Sequence, residues 1–171
     1  QYFNMSLWNV MFKRELFEGE NPLRFPVGKK CEDYYLMHQI IARVNLLTYN
    51  SDPYYHYIQR PNSISRNKKI NMAPIDASLY QLKFYRENYP DIAYVAETAC
   101  AFSHMGIYTA YVRNNQKCPD KLLRKLKKTS KNFLSSVIKN PHIPKVKKLQ
   151  ALAFCYALPV YKFVIGRTEH R

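Results

Sequence analysis

From Asp76 to Ile165 apolar residues recur three and four positions apart, in runs punctuated by prolines, which is the pattern of amphipathic helices. Leu79, Leu82 and Phe84 make one run ahead of Pro90. Ile92, Val95, Ala96, Ala99, Phe102 and Ile107 make the next, with Asp91 placed to cap it. Lys121 to Ile138 and Lys145 to Ile165 add two more runs. Pro119 and Pro144 stand near their starts, where a missing N–H costs least, and Pro159 is placed to kink or break the last. Residues 72–171 are therefore predicted to be a helical C-terminal region, a small bundle.

The first 71 residues read differently. Asn9 to Phe17 is expected to form a short helix carrying Trp8, Phe12 and Leu16 at helical spacing, ended by Gly19 and Pro22. A helix beginning at Glu32 or Asp33 would put Met37, Ile40, Ile41 and Val44 on one face, with its acidic residues at the positive end. Leu46-Leu47-Thr48-Tyr49 and Tyr54-Tyr55-His56-Tyr57-Ile58 look like strands, rich in aromatic and large apolar residues and separated by Asn50, Ser51, Asp52 and Pro53. Arg60 to Asn71 is a polar, basic loop that closes this part. The whole is expected to be α+β and mainly helical: residues 1–71 with a few short strands, then the bundle.

Charge is unevenly spread, with the excess in the later part of the helical region. Of 27 basic and 12 acidic residues, net +15, the segment up to Arg113 holds 13 and 10, and the remainder 14 and 2. With 47% hydrophobic and 15% aromatic residues the chain is too rich in large side chains to be disordered. Cys31, Cys100, Cys118 and Cys155 are far apart without a CxxC pair, which argues against a zinc site and fits a reducing, cytoplasmic setting. The apolar stretch Leu149 to Ile165 is interrupted by Gln150, Pro159 and Lys162 and falls short of the roughly 20 residues needed to span a bilayer. The chain opens on Gln1 rather than Met, directly before an aromatic-rich segment, so it is expected to continue from a longer protein.

Three features occur in one order: Trp8 ahead of Lys13-Arg14, then FPVGKKCEDYY from Phe25 to Tyr35, then YYHYIQRPNSI from Tyr54 to Ile64. The ordered set resembles bacterial family-2 glycosyltransferases of the GT-A fold, the surface-polysaccharide type, in which a Trp-led segment, an FP-G---ED segment and a YYYR-R-GSI segment follow one another. The resemblance covers about residues 5–66 and implies the acceptor-side remnant of that fold, in an inverting enzyme that passes a sugar from a nucleotide sugar to a polysaccharide or lipid-linked acceptor. It makes Asp33 the base that takes the acceptor proton and gives Glu32 a supporting catalytic part. Trp8 becomes an aromatic wall of the acceptor pocket, and Arg60, with Ser63 and Ile64, the piece that approaches diphosphate or acceptor.

Each of these residues has a plainer reading: Glu32-Asp33 as a helix cap, Trp8 as a core anchor, Arg60 as a solvated loop residue. Arg66, Lys68 and Lys69 extend the basic loop. His38, His56 and His104 have no partner at metal-ligand spacing, so no metal residue is assigned. The family holds a divalent metal, Mg or Mn, with an Asp-x-Asp motif on its nucleotide-binding half; no Asp-x-Asp occurs here. The fragment alone is thus expected to bind no cofactor and to be inactive without that half.

A second reading is a non-catalytic basic module whose helical region binds an anionic membrane at the inner face of the cell membrane, or docks on a protein partner or a second copy as a homodimer. Nucleic acid is not favoured as a partner, because no RRM, KH, zinc-finger or dsRNA-binding signature accompanies the charge.

Overall fold

The computed structural model describes residues 6–50, 52, 54–56, 58 and 69–167. They fall into two units, Gln1–Asn67 and Lys68–Arg171.

In the first unit, only Arg14–Phe17 of the expected early helix is helical, as one 3-10 turn. Gly19, at φ +91°, reverses the chain, and the Leu23 N–H donates to the Leu16 carbonyl at 3.2 Å. Leu23 is thereby buried against Leu36 and Ile40 of α1 (Glu32–Arg43), with Leu7, Phe12, Leu16, Phe17 and Val44 packed around them. Phe17 stacks on Phe25 with ring centroids 6.4 Å apart. The Arg24 guanidinium donates to the Phe17 carbonyl and, at 2.8 Å, to that of Leu23. Burial along α1 is broader than the spacing implied. Met37 and Ile40 are buried, but so are Tyr35, Leu36 and His38, while Ile41 faces solvent.

Neither expected strand is present among the described residues. Leu46 and Tyr49 are 80% and 69% exposed, Leu47 is exposed as well, and Tyr54, Tyr55 and Ile58 likewise. A strand needs a neighbour to satisfy its backbone and cover one face, and apolar composition alone supplies neither. Instead the Asn50 side-chain carbonyl accepts the Asp52 N–H at 3.0 Å, and the Tyr54 N–H donates to the Asp52 carbonyl at 3.0 Å. These bonds to near neighbours compete with any ladder.

Among the described residues the regular structure of the second unit is all helix. It contains α2 (Ala73–Asn88), a 3-10 turn (Pro90–Ile92), α3 (Ala93–Arg113), α4 (Asp120–Asn132), α5 (Leu134–Lys139), α6 (Lys145–Tyr156) and α7 (Leu158–Arg167). The 21-residue α3 runs through the middle, packed by each of the other five helices. Its small residues allow this: Ala93, Ala96, Cys100 and Ala101 are buried and let neighbouring backbones approach. One apolar cluster extends from Ile75 to Ile165, with fully buried Leu126, Val137 and Phe154 at its centre. Tyr108, Phe154 and Tyr161 form a ring triad with centroids 5.1 to 6.1 Å apart, and the Tyr161 hydroxyl meets Thr109 Oγ1 at 2.9 Å.

Three expectations shift in detail. Asp91 lies inside the 3-10 turn, and Ile92 occupies the N-cap of α3. The run Lys121 to Ile138 breaks at Phe133 into α4 and α5. The last run breaks at Ala157, leaving Pro159 in the first turn of α7, where its ring is tolerated. No helix among the described residues is long and apolar enough to cross a membrane.

Candidate functional site

The local geometry around Glu32 and Asp33 begins in the loop before them. Gly28, at φ +70°, occupies a left-handed position in the turn that brings Lys29 N–H within 3.5 Å of the Pro26 carbonyl. Cys31, at the N-cap of α1, is also left-handed, at φ 61° and ψ 44°, a conformation uncommon for a residue other than Gly, Asn or Asp. Two reversals within four residues deliver Glu32 and Asp33 into the first turn of the helix, where backbone N–H groups lack a carbonyl four residues back and the dipole is positive.

The two carboxylates differ in setting. Glu32 is exposed; Asp33 is half-buried, and its Oδ1 accepts the Tyr34 N–H at 2.9 Å. Burial raises the Asp33 carboxyl above its ordinary value, and the neighbouring charge of Glu32 adds to this, against the lowering effect of the Tyr34 N–H. The helix dipole alone suggests a firmly ionised group; partial withdrawal from water outweighs it and leaves a carboxylate with greater affinity for a proton. Burial also raises the phenol of Tyr34, with Asp33 contributing, so the two side chains sense each other electrostatically.

Trp8 is 44% exposed and therefore not a core anchor. Its ring meets that of Tyr55, also about half open, with centroids 4.6 Å apart and a tilt of 39°. This aromatic pair joins two segments 47 positions apart, and nothing in the spacing of either pointed to it. The Tyr54 hydroxyl turns instead to Asp52 Oδ2 at 2.9 Å. Arg60, Ser63 and Ile64 lie outside the described residues, as do Arg66 and Lys68.

Other groups capable of chemistry are quenched by burial. Cys100 Sγ lies 3.9 Å from His104 Nδ1, one turn away on α3, a pairing the sequence did not flag. Burial raises the thiol and lowers the imidazole, which disfavours a thiolate-imidazolium pair, and His104 Nδ1 is engaged at 2.8 Å with the Cys100 carbonyl. Burial likewise raises Cys118 and Cys155 and lowers His38, whose Nδ1 sits 3.0 Å from the Tyr34 carbonyl. Among the described residues no three His, Cys, Asp or Glu side chains gather as a metal-binding group. No protein-family model, curated protein or solved structure matches this chain.

Proposed function

We propose that this chain is the acceptor side of an inverting, family-2 type glycosyltransferase, with Asp33 as its general base. The observation that carries the reading is the placement of Asp33: in the first turn of α1, half-buried, with its proton affinity raised. A catalytic base works best when its affinity for a proton approaches that of its surroundings at the operating pH, and partial burial moves a carboxylate in that direction. The acceptor hydroxyl oxygen attacks the anomeric carbon of the nucleotide sugar while Asp33 takes the hydroxyl proton. The bond from that carbon to the diphosphate oxygen breaks, and the nucleoside diphosphate leaves with the electron pair, inverting the centre.

The half-open faces of Trp8 and Tyr55 suit the apolar face of a sugar ring, so this pair forms the acceptor wall in the proposal, with Glu32 beside the base. To Arg60, with Ser63 and Ile64, the resemblance assigns the approach to diphosphate or acceptor, and a guanidinium there would offset charge developing on the leaving group. Among the described residues no donor group for the divalent metal that the resemblance implies is present; in the proposal that metal, Mg or Mn, and nucleotide-sugar binding belong to a half supplied by a longer parent protein.

The test is sugar transfer by that parent, over a panel of nucleotide sugars with a lipid extract as acceptor. Asp33→Asn is expected to lower transfer by about 10²–10⁴-fold with nucleotide binding retained. Unchanged transfer would reduce Glu32 and Asp33 to first-turn partners of the helix dipole, behind the Cys31 N-cap, and end the reading.

A further inference from the structure

α6 and α7 are apolar on the side that faces away from the bundle as well as on the side that packs into it. Ala151, Phe154 and Cys155 of α6 and Tyr161 and Ile165 of α7 are buried. On the opposite faces Val146, Leu149, Tyr156, Val160 and Phe163 are each more than half exposed, with Leu152 also open. Their spacing of three and four residues keeps them on one side of each helix, and a single residue, Ala157, separates the two helices. A surface helix normally spends that side on charge, and a helix apolar all round is normally buried. Here the second side is more than half open to solvent at Val146, Leu149 and Val160.

Charge around this stripe is of one sign. No Asp or Glu occurs between Lys121 and Thr168, whereas Lys and Arg recur throughout. Lys145, Lys147 and Lys162 belong to the same two helices and are exposed. Lys131 of α4 sets its ammonium 4.9 Å from the centroid of the Tyr156 ring, which brings the basic face of α4 to the edge of the stripe. Aliphatic and aromatic side chains at helical spacing, rimmed by long cationic ones, are what an interfacial helix presents to a bilayer: the apolar side enters the acyl boundary and the lysines reach back to the headgroups. Nucleic acid would use the cations and leave Val146, Leu149 and Val160 without a purpose.

We propose that the α6–α7 face is a peripheral docking surface for an anionic lipid bilayer. It lies in the helical unit, apart from Asp33 in sequence and unit, and holds whether or not the chain takes part in sugar transfer.

The experiment is co-sedimentation of the 171-residue chain with vesicles of phosphatidylglycerol and phosphatidylcholine in equal parts, and with phosphatidylcholine alone. The chain is expected to partition onto the anionic vesicles at least about tenfold better, since each lysine near the surface contributes roughly a fivefold factor. Leu149→Gln with Phe163→Gln, both at exposed positions and so compatible with an unchanged helical circular dichroism spectrum, should lower that partition by about tenfold or more. Lys145→Gln with Lys162→Gln should lower it through charge while leaving the apolar face intact. Equal recovery with both vesicle types would overturn the proposal, as would a glutamine pair at 149 and 163 that binds like the unaltered chain. A dimer in light scattering that the same pair dissolves would make a second copy, not lipid, the occupant.

Discussion

The two units are held together in different ways. In the helical unit, one apolar cluster reaches from α2 to α7 and is crossed by few but well-formed polar ties; in the unit carrying Asp33, a smaller cluster of Leu23, Leu36 and Ile40 is supplemented by ring contacts and arginine-to-carbonyl bonds. Reactive side chains need a partly open setting, and open settings bury little. Sites for ligands accordingly lie where local stability is low, and the packed remainder of the molecule supplies most of the folding free energy. The difference also separates two kinds of half-buried carboxylate environment: Glu97 in the bundle, whose neighbours stabilise its charge, and Asp33 in the smaller unit, whose surroundings oppose it.

The sharpest way to break the comparison is to remove one side chain from each cluster. Phe154, fully buried between Tyr108 and Tyr161, leaves a large void as Phe154→Ala, and the helical unit should lose about 3–5 kcal/mol. Leu36→Ala in the smaller cluster should cost toward the lower end of about 2–5 kcal/mol, because Phe12, Phe17 and Val44 are only partly buried and can settle into the gap. Urea unfolding followed by far-ultraviolet circular dichroism measures both. A larger loss for Leu36→Ala would mean that the unit bearing Asp33 is the more tightly packed of the two.

A middle-sized effect is expected at Glu97. Burial raises this carboxyl, but the Ser136 hydroxyl at 2.5 Å and the Arg86 guanidinium at 2.8 Å outweigh it and hold the group below its ordinary value of 4.5. These bonds tie α2, α3 and α5 together. Because the folded group is the stronger acid, its contribution is present above the unfolded pKa and is lost as pH falls through the folded one. Glu97→Gln should therefore cost about 1–2 kcal/mol at neutral pH, and the gap to the unaltered chain should close as the pH drops below 4.5. A gap that stays constant down to strongly acid pH would show that shape, not charge, matters there.

Much of the bundle is legible in the sequence because periodicity and proline carry it. Pro119 and Pro144 sit at the N-caps of α4 and α6, and Pro159 marks the start of α7. The break at Phe133 is not legible: no Gly or Pro stands at Asn132, Phe133 or Leu134, and packing alone sets it. In the first unit the outcome reverses. Leu46 to Tyr49 and Tyr54 to Ile58 have the composition of strands, yet strand formation depends on a partner that local sequence cannot specify. At the candidate site, Glu32 and Asp33 ahead of a periodic apolar run announce a helix start. The half-burial of Asp33, the left-handed Cys31 and the pairing of Trp8 with Tyr55 arise from tertiary approach and left no local signal.

The smallest expected effect discriminates most finely, because it separates a base from a partner of the helix dipole at the same residue. A first-turn carboxylate that serves only the helix is stabilised by the N-terminal dipole, has a lowered pKa, and costs about 0.3–1 kcal/mol when neutralised. Asp33 has the opposite tendency: burial and Glu32 raise it above its ordinary 3.8. Its ionisation therefore opposes folding, a burden absent at low pH that sets in as pH rises from the unfolded value through the folded one. Asparagine keeps an oxygen able to accept the Tyr34 N–H and removes the charge. Asp33→Asn should accordingly be as stable as the unaltered chain at neutral pH or slightly more so, with the difference vanishing below pH 3.8. Thermal unfolding across that range measures it. A clear loss of stability at neutral pH would identify the residue as a partner of the helix dipole; retained stability alongside lost sugar transfer in the parent would mean that its charge is kept for the proton it takes.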